Sequence, residues 1–410
     1  MARIRAVRAR AISLPLHTPF VTALRRTSTI ETLIVALELA DGTTGLGEAP
    51  QVWAVTGDSV VSAQACVEQV LAPLLVGTES DDWRALAASV ARGCARNFGA
   101  KAAVETALLD AVAMAAGMPL AHLLADVAGT AGVTGAVGVT GAVGVTRAVG
   151  GDIAGPAGRE VHAVARPESQ ESTSGLGSAS VFEVATDVTI SAGSPDALGA
   201  AARARVAEGF SRLKLKVGTD AATDVARVRA VRDAVGPAVG VRLDANQGWS
   251  REDAVIVIRS LEAADLGVEL VEQPVAGEDV EGLAWVRARV GLPVMADETV
   301  YGASDLERVI RLGAADSVNV KLAKCGGLLT GLRLLARARQ AGLGTMVGSM
   351  MESQVGVAAA ASLVAAVGTS AVSDLDAAWW ATHSPYVGGP TYGPGVIRLP
   401  ADPGMGMSLP

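Results

Sequence analysis

The chain has 410 residues, half of them hydrophobic, a length that suits a barrel with a second domain better than one small domain. The net charge of −8 and the pI of about 5.2 argue against a nucleic-acid-binding protein. The chain has three cysteines without metal-type spacing, which argues against a disulfide framework. Pro15 and Pro19 interrupt the N terminus, which argues against a signal peptide. The longest small-apolar run, 355–368, is too short to span a bilayer, so we expect a cytoplasmic protein.

The first predicted unit is an α+β domain over residues 1–126. Within it, residues 31–50 contain an alternating apolar run, an Asp41-Gly42 turn and a second short strand, a pattern typical of a hairpin. Residues 60–125 carry apolar side chains at helical spacing in three segments.

Residues 127–181 form a segment of different composition. The hexapeptide GAVGVT occurs twice in tandem over 135–146, and a stretch rich in Ser, Glu and Gly follows. We interpret this segment as a low-complexity insertion or linker and assign no secondary structure to it.

From residue 182 to 378 the pattern predicts a parallel (β/α) barrel. Strand-like segments recur at roughly 24–30-residue intervals, with helix-like segments in most of the gaps. The eight predicted strands are TDVTIS, RLKLKVG, VGVRLDAN, VELVEQPV, PVMADET, SVNVKLAK, GTMVGSM and SAVSDLDA. Residues 379–410 remain as a C-terminal tail.

Charged residues lie at the ends of these strands, where barrel enzymes place their active sites. In strand order they are Lys214 and Lys216, Asp244 and Asn246, Glu272, Asp297 and Glu298, Lys321 and Lys324, Glu352 after strand seven, and Asp374 and Asp376. Three acids from neighbouring strands form an oxygen-only site, which suits Mg²⁺. Lysines on both sides of it indicate proton transfer at a carbon next to a metal-bound carboxylate, with the metal stabilising the dianionic intermediate. We expect the neighbouring charge of Lys214 to lower the pKa of Lys216 toward that of a general base.

Each of these residues also has a purely structural interpretation. A strand-end aspartate such as Asp374 is often a turn or cap residue, and Glu298 suits either a cap or a group that orients a lysine. Lys324 suits a solvated loop as well as a site, and Glu352 suits backbone amides. The complete ordered set favours a site, because helix caps require no lysines.

The motifs K-x-K, LDANQGW, VEQP, ADE and KLAKCGG, with DGTTGLGEA and VETALLDA in the N-terminal part, resemble those of the enolase superfamily, in the subgroup of muconate-lactonising enzymes. The resemblance covers nearly the whole chain. It implies a modified TIM barrel, (β/α)₇β, closed by an N-terminal α+β capping domain to which the C-terminal tail returns.

The same resemblance implies roles for individual residues. It makes Asp244, Glu272 and Asp297 the ligands of one Mg²⁺ per subunit, Lys216 and Lys321 the two acid/base lysines, and Lys214 their electrostatic partner. We further expect Asn246 and Glu298 to support the metal ligands, Glu352 and Lys324 to contact substrate, and the chain to form a homo-oligomer.

Within the subgroup, Asp374-x-Asp376 looks like the feature with which dipeptide epimerases bind the free ammonium group of the substrate. Arg25 matches a position where Ala-Glu-type epimerases bind a side-chain carboxylate, although a solvated loop arginine is the alternative. The 127–181 insertion and the residues Ala377–Trp380, where the family often has Gly-Pro, depart from the pattern.

The sequence therefore predicts an isomerase that inverts the α-carbon of the C-terminal residue of an L,L-dipeptide, Ala-Glu-like, by two-lysine proton transfer through a metal-stabilised enolate. The alternatives are an N-acylamino acid racemase, an o-succinylbenzoate synthase or a muconate-type cycloisomerase on the same scaffold. A barrel that binds a small acid without catalysis is the non-enzyme alternative.

Overall fold

The computed structural model of the chain describes residues 2–130 and 182–410. The tandem GAVGVT repeat and most of the predicted 127–181 insertion lie outside the described residues. The helix that ends the N-terminal part runs to Thr130, four residues into that predicted segment.

The N-terminal part packs helices on an antiparallel sheet. Its strands, in the order β1-β2-β3, are β1 (Ile4–Val21), β2 (Arg26–Leu39) and β3 (Thr44–Pro50). Its helices are α1 (Val60–Cys66), α2 (Ala72–Leu75), α3 (Trp83–Arg92), α4 (Phe98–Ala115) and α5 (Leu120–Thr130), with a π-helical turn at Val67–Leu71 and a 3₁₀ turn at Ser80–Asp82. Helix α4 lies close against β3 because Gly47 has no side chain, and a Cβ there would lie 1.9 Å from the Ala103 carbonyl oxygen.

Seven parallel strands form the curled sheet of the barrel, in sequence order across the sheet. They are β5 (Val188–Ile190), β6 (Arg212–Lys216), β7 (Gly240–Asp244), β8 (Val268–Glu272), β9 (Val294–Ala296), β10 (Ser317–Lys321) and β11 (Gly344–Gly348). The eighth predicted strand is reduced to parallel bridges, in which Ser373 pairs with Thr186 and Asp374 with Gly348. Since these bridges join the first strand to the seventh, they close the barrel.

Helices surround this sheet and a short tail follows it. The helices are α6 (Pro195–Ala207), α7 (Ala221–Val235), α8 (Arg251–Ala263), α9 (Val280–Arg287), α10 (Ala303–Leu312), α11 (Leu322–Cys325), α12 (Leu328–Gln340) and α13 (Gln354–Val367), followed by a 3₁₀ turn at Ala377–Trp380. The remaining strands are β4 (Phe182–Ala185), which pairs with β14, and β12 (Val387–Gly388), β13 (Thr391–Gly393), β14 (Val396–Leu399) and β15 (Met407–Ser408).

The tail returns to the N-terminal part. The Leu120 amide donates to the Gly404 carbonyl over 2.8 Å, and the Met405 amide donates to Asp110 Oδ1 over 2.7 Å. One continuous apolar core includes side chains from the N-terminal sheet, the barrel and the tail. The predicted fold class, a modified TIM barrel with an N-terminal α+β capping domain, is confirmed. Among the described residues, no helix is both long and apolar enough to cross a membrane.

Candidate active site

The strand register brings the predicted site residues to one level of the barrel. Lys216 is paired with Asp244, and Asp244 with Glu272, across three neighbouring parallel strands. On the other side, Lys321 is paired with Gly348. A Cβ on Gly348 would lie 2.9 Å from Lys321 Cε, so the glycine leaves room for the lysine side chain to cross the barrel interior.

Lys214 and Lys216 both point into the barrel, because alternate strand residues share a face. Lys214 Nζ lies 2.6 Å from Asp374 Oδ2, 2.7 Å from Glu272 Oε2 and 3.1 Å from Asp244 Oδ2. Lys216 Nζ lies 2.6 Å from Asp244 Oδ2. Both side chains are buried, which is possible because each ammonium group meets at least one carboxylate.

Lys321 and Lys324 converge on one acid at the end of β9. Lys321 Nζ donates to Asp297 Oδ2 over 2.6 Å, and Lys324 Nζ donates to Asp297 Oδ1 over 2.5 Å. Lys324 also donates to the Asp297 backbone carbonyl and is fully buried. Lys324 is therefore a member of the charged cluster and not a solvated loop residue.

The four lysines control the ionisation of their partner acids. Burial opposes ionisation of Asp244 and Asp297, but the adjacent lysines outweigh it and hold the pKa of both carboxyl groups below its ordinary range. Burial likewise opposes the charge on Lys214 and Lys321, yet the surrounding carboxylates raise the pKa of both. For Lys321, the charge of Asp297 outweighs repulsion by Lys214.

Carboxyl groups outnumber lysines in the cluster. Six buried carboxyl groups face four lysines, the carboxyl groups being those of Asp244, Glu272, Asp297, Glu298, Asp374 and Asp376. Burial, together with the remaining acids, raises the pKa of Glu272 to about 7 and that of Glu298 to about 8. Among the described residues, the buried oxygens Asn246 Oδ1, Glu298 Oε2 and Asn319 Oδ1 find no hydrogen-bond partner. The four lysines therefore neither balance all six carboxyl groups nor satisfy every buried oxygen around them.

The oxygen atoms and the charge of the cluster are suited to a divalent cation. The side chains supply oxygen donors, the chemistry that Mg²⁺ prefers, and two excess negative charges when all are ionised. Within residues 2–130 and 182–410 no three acidic, His or Cys side chains form a preassembled metal cluster, because Asp244, Glu272 and Asp297 turn toward lysines. The donor set and the charge fit such a cation, provided that these carboxylates exchange lysine contacts for it.

The two acids of the eighth segment have different partners. Asp374 accepts from Lys214, so it belongs to the lysine network. Asp376 Oδ2 accepts from the Thr189 backbone amide over 2.7 Å and from the Trp380 indole Nε1 over 3.0 Å. Both acids line a narrow cleft between the cap and the barrel, with about 50 Å³ of space accessible to water-sized groups.

The cleft also contains Arg25, Lys216, Asn246, Glu298 and Lys321, so the structure brings these predicted residues together. Burial lowers the pKa of the half-buried Arg25 guanidinium, for which the described residues provide no ion pair.

Glu352 is not among the residues that line this cleft. Its Oε1 accepts from the Met350 amide over 2.9 Å, the backbone role that the sequence left open. Burial and the nearby Glu48 raise its pKa to about 8.

Three buried polar residues that the sequence motifs do not single out also support the cluster. Asn319 Nδ2 donates to Glu272 Oε1 over 2.9 Å, and Gln273 Oε1 accepts from the Asp297 amide over 2.9 Å. Arg242 donates to the Val372 carbonyl over 2.5 Å and so ties β7 to the eighth segment. Strand alternation could have identified Asn319 and Arg242, because each lies two positions before an inward-facing site residue and therefore points into the barrel.

The fold and this ring of charges define a capped parallel barrel whose mouth is lined by lysines and carboxylates. Residues 4–125 match the model of the mandelate racemase / muconate lactonizing enzyme N-terminal domain, and residues 197–410 match the enolase C-terminal domain-like model. The chain belongs to the mandelate racemase / muconate lactonizing enzyme family, as the sequence motifs predict.

Individual relatives cover nearly the whole chain. The chain is 35% identical to the L-Ala-D/L-Glu epimerase of Bacillus subtilis over 97% of its own length and 94% of the relative. It is 28% identical to the N-succinyl-L-Arg/Lys racemase of Bacillus cereus over 99% of its length and 95% of the relative. The solved structure of the Enterococcus faecalis dipeptide epimerase with Mg and L-Leu-L-Tyr has a TM-score of 0.83 at 30% identity, covering 99% of both chains. The relatives are racemases and epimerases, which confirms the prediction of an isomerase.

Proposed function

We propose that the protein is a Mg²⁺-dependent dipeptide epimerase that inverts the α-carbon of the C-terminal residue of an L,L-dipeptide. The observation that supports this most directly is the position of two lysines. Lys216 ends the second strand and Lys321 the sixth of an eight-membered barrel, so they approach the same cleft from opposite walls. A substrate α-carbon between them is within reach of one lysine on each face.

The two lysines perform the proton transfers. A neutral lysine amine on one face takes the α-proton, and the electron pair of the broken C–H bond moves toward the neighbouring carboxylate of the substrate. The protonated lysine on the opposite face then donates its proton to the α-carbon, which inverts the centre. Lys214, held between Asp244, Glu272 and Asp374, adds positive charge beside this reaction.

In this proposal Asp244, Glu272 and Asp297 hold the cation, and Asn246 and Glu298 support them. When bound, a divalent cation supplies Lewis-acid stabilisation of negative charge on the substrate carboxylate. The contact with Asp297 raises the pKa of Lys321, so an Asp297 that held a cation instead would leave Lys321 with a lower pKa, closer to that of a general base.

The rest of the cleft supports a dipeptide as the substrate class. Asp374 and Asp376 offer paired carboxylates that suit a free ammonium group, which a dipeptide has and an N-acylated amino acid lacks. Arg25 offers a half-buried cation without an ion pair among the described residues, which suits a side-chain carboxylate. L-Ala-L-Glu is accordingly the leading substrate, as it is for the Bacillus subtilis relative by name.

The test is ¹H NMR in D₂O with Mg²⁺, following loss of the α-proton signal in a panel of L,L-dipeptides and N-succinyl amino acids. We expect exchange with L-Ala-L-Glu, lost on chelation and restored by added Mg²⁺. Exchange of the N-succinyl compounds alone would replace the proposal by an N-acylamino acid racemase. No exchange with any compound would favour a barrel that binds without catalysis.

A further inference from the structure

Trp380 makes a hydrogen bond that neither the motifs nor the proposed reaction requires. Its indole Nε1 donates to Asp376 Oδ2 over 3.0 Å, and the Thr189 backbone amide donates to the same oxygen over 2.7 Å. Two donors on one oxygen restrict rotation of the carboxylate. Within the described residues no hydrogen bond reaches Asp376 Oδ1, which leaves that oxygen available to the cleft that Asp376 lines.

The indole itself is held in place by a set of aromatic rings. Trp380 is buried, stacks on His17 at 5.3 Å between ring centroids, and meets Phe20 edge to face at 5.3 Å. Both of these partners come from β1 of the capping domain. A buried indole N–H requires an acceptor, and the acceptor here is the acid at the cleft.

The same aromatic set reaches a second site residue. Phe20 lines the cleft, and its ring centroid lies 5.7 Å from Lys216 Nζ. Trp380 thus contacts the capping domain and Asp376 directly. Through the Phe20 ring it also reaches Lys216 on the wall of the cleft. The acceptor that satisfies the buried indole N–H is a carboxylate of the cleft rather than a backbone carbonyl, so the indole also restricts a site residue.

We infer that Trp380 is a positioning residue, which orients Asp376 so that Oδ1 faces the substrate ammonium group when the capping domain is seated on the barrel. The inference rests on the proposed dipeptide function. Its consequence is a selectivity for substrates with a free amino group that depends on the indole N–H as well as on the carboxylate.

The test compares W380F with W379F in the full-length, Mg²⁺-loaded enzyme. W380F keeps an aromatic ring and loses the N–H donor. Trp379 also contacts His17 and packs against Trp380 itself, yet no side-chain hydrogen bond from it to Asp376 is found in the described part of the chain, so W379F is the matched control. We expect W380F to raise KM for L-Ala-L-Glu about ten-fold with kcat within about two-fold, and W379F to change neither by more than about two-fold.

Calorimetric binding provides a readout independent of turnover. We expect wild type to bind L-Ala-L-Glu more tightly than its N-acetyl derivative, and W380F to lose about ten-fold of that preference. In the D376A background the same substitution should have no further effect, because no acceptor remains for the indole N–H at that position. Equal losses in both backgrounds would show a packing role and overturn the inference.

Failure of this inference differs from failure of the proposed function. A wild-type enzyme without preference for the free amine overturns both. A wild-type preference that W380F and W379F alter equally overturns only the role of Trp380. If W380F does not fold, W380H and W380L replace it, since only histidine keeps a ring N–H. W380H is then expected to retain more of the amine preference than W380L, and equal values would contradict the inference.

Discussion

The barrel mouth and the cap-to-barrel junction both bury carboxylates, but they satisfy them in different ways. At the mouth, Asp244 and Asp297 each meet two lysine ammonium groups. At the junction, Asp110 accepts from the Leu46 amide over 2.8 Å and the Met405 amide over 2.7 Å, and Glu48 accepts from the Ser353 and Gly356 amides, each over 2.7 Å. No lysine or arginine of the described residues forms an ion pair with either junction acid.

The difference shows in the ionisation of the acids. Burial raises the pKa of Asp110 to about 7, because two amide dipoles do not compensate the lost hydration. The lysine charges at the mouth outweigh the same effect and lower the pKa of Asp244 and Asp297. Amides in a backbone are fixed partners, whereas a lysine ammonium can move and exchange protons. The junction acids therefore suit a structural role and the mouth acids a chemical one.

The largest expected effect comes from removing a lysine at the mouth. K216A and K321A should each lower the rate of α-proton exchange by about 10³-fold, since each removes one acid/base group. Both variants should fold, because Lys214 still pairs with Asp244 and Lys324 still pairs with Asp297. The measurement is exchange by NMR together with thermal unfolding.

The matched control is K101A. Lys101 is also buried, but within the described residues its hydrogen bonds go to the backbone carbonyls of Ala91 and Cys94 alone. This variant should lose stability and keep turnover per folded molecule. A comparable loss of turnover in K101A would remove the distinction between the two regions.

A smaller effect is expected at the junction, in the pH dependence of stability. The folded pKa of Asp110 is about 7 and the unfolded pKa is about 3.9, so the folded state binds the proton more tightly. Its contribution to the free energy of unfolding is therefore full below about pH 4 and falls as pH rises to about 7. D110N should show a shallower fall than wild type in chemical denaturation across that range, at a cost of about 1–3 kcal/mol in stability. Identical slopes would assign the pH dependence to other groups.

The smallest expected effect concerns Arg25, a residue of the capping domain that faces the cleft. R25A should raise KM for L-Ala-L-Glu about ten-fold, because a charge-assisted pair with the substrate side chain is lost. It should leave L-Ala-L-Ala unchanged, since that dipeptide has no side-chain carboxylate. The exposed neighbour Arg26 provides the control variant R26A, and steady-state kinetics on both dipeptides is the measurement. Equal losses on the two dipeptides would indicate a structural role for Arg25.

Much of the barrel was predictable because strand alternation and strand spacing are patterns among residues that are close in sequence. Alternation along a strand determines that Lys214 and Lys216 share one face, and regular spacing indicates the order of the strands. The reduction of the eighth strand to bridges at Ser373 and Asp374 was not predictable, because it depends on how the sheet closes. The direction of Glu352 was not predictable either, since backbone amides after β11 compete with the cleft for its carboxylate.

The sequence by itself determined the family, the fold class and the set of charged residues at the strand ends, since periodicity and short motifs are properties of neighbouring residues. Only the tertiary structure decided which acid each lysine meets, that Lys324 is buried, and that Trp380 donates to Asp376 beneath rings from the capping domain. These contacts join residues from distant parts of the chain, such as Phe20 and Trp380. Their distances and burial follow from the packing of the two parts against each other, which no local pattern encodes.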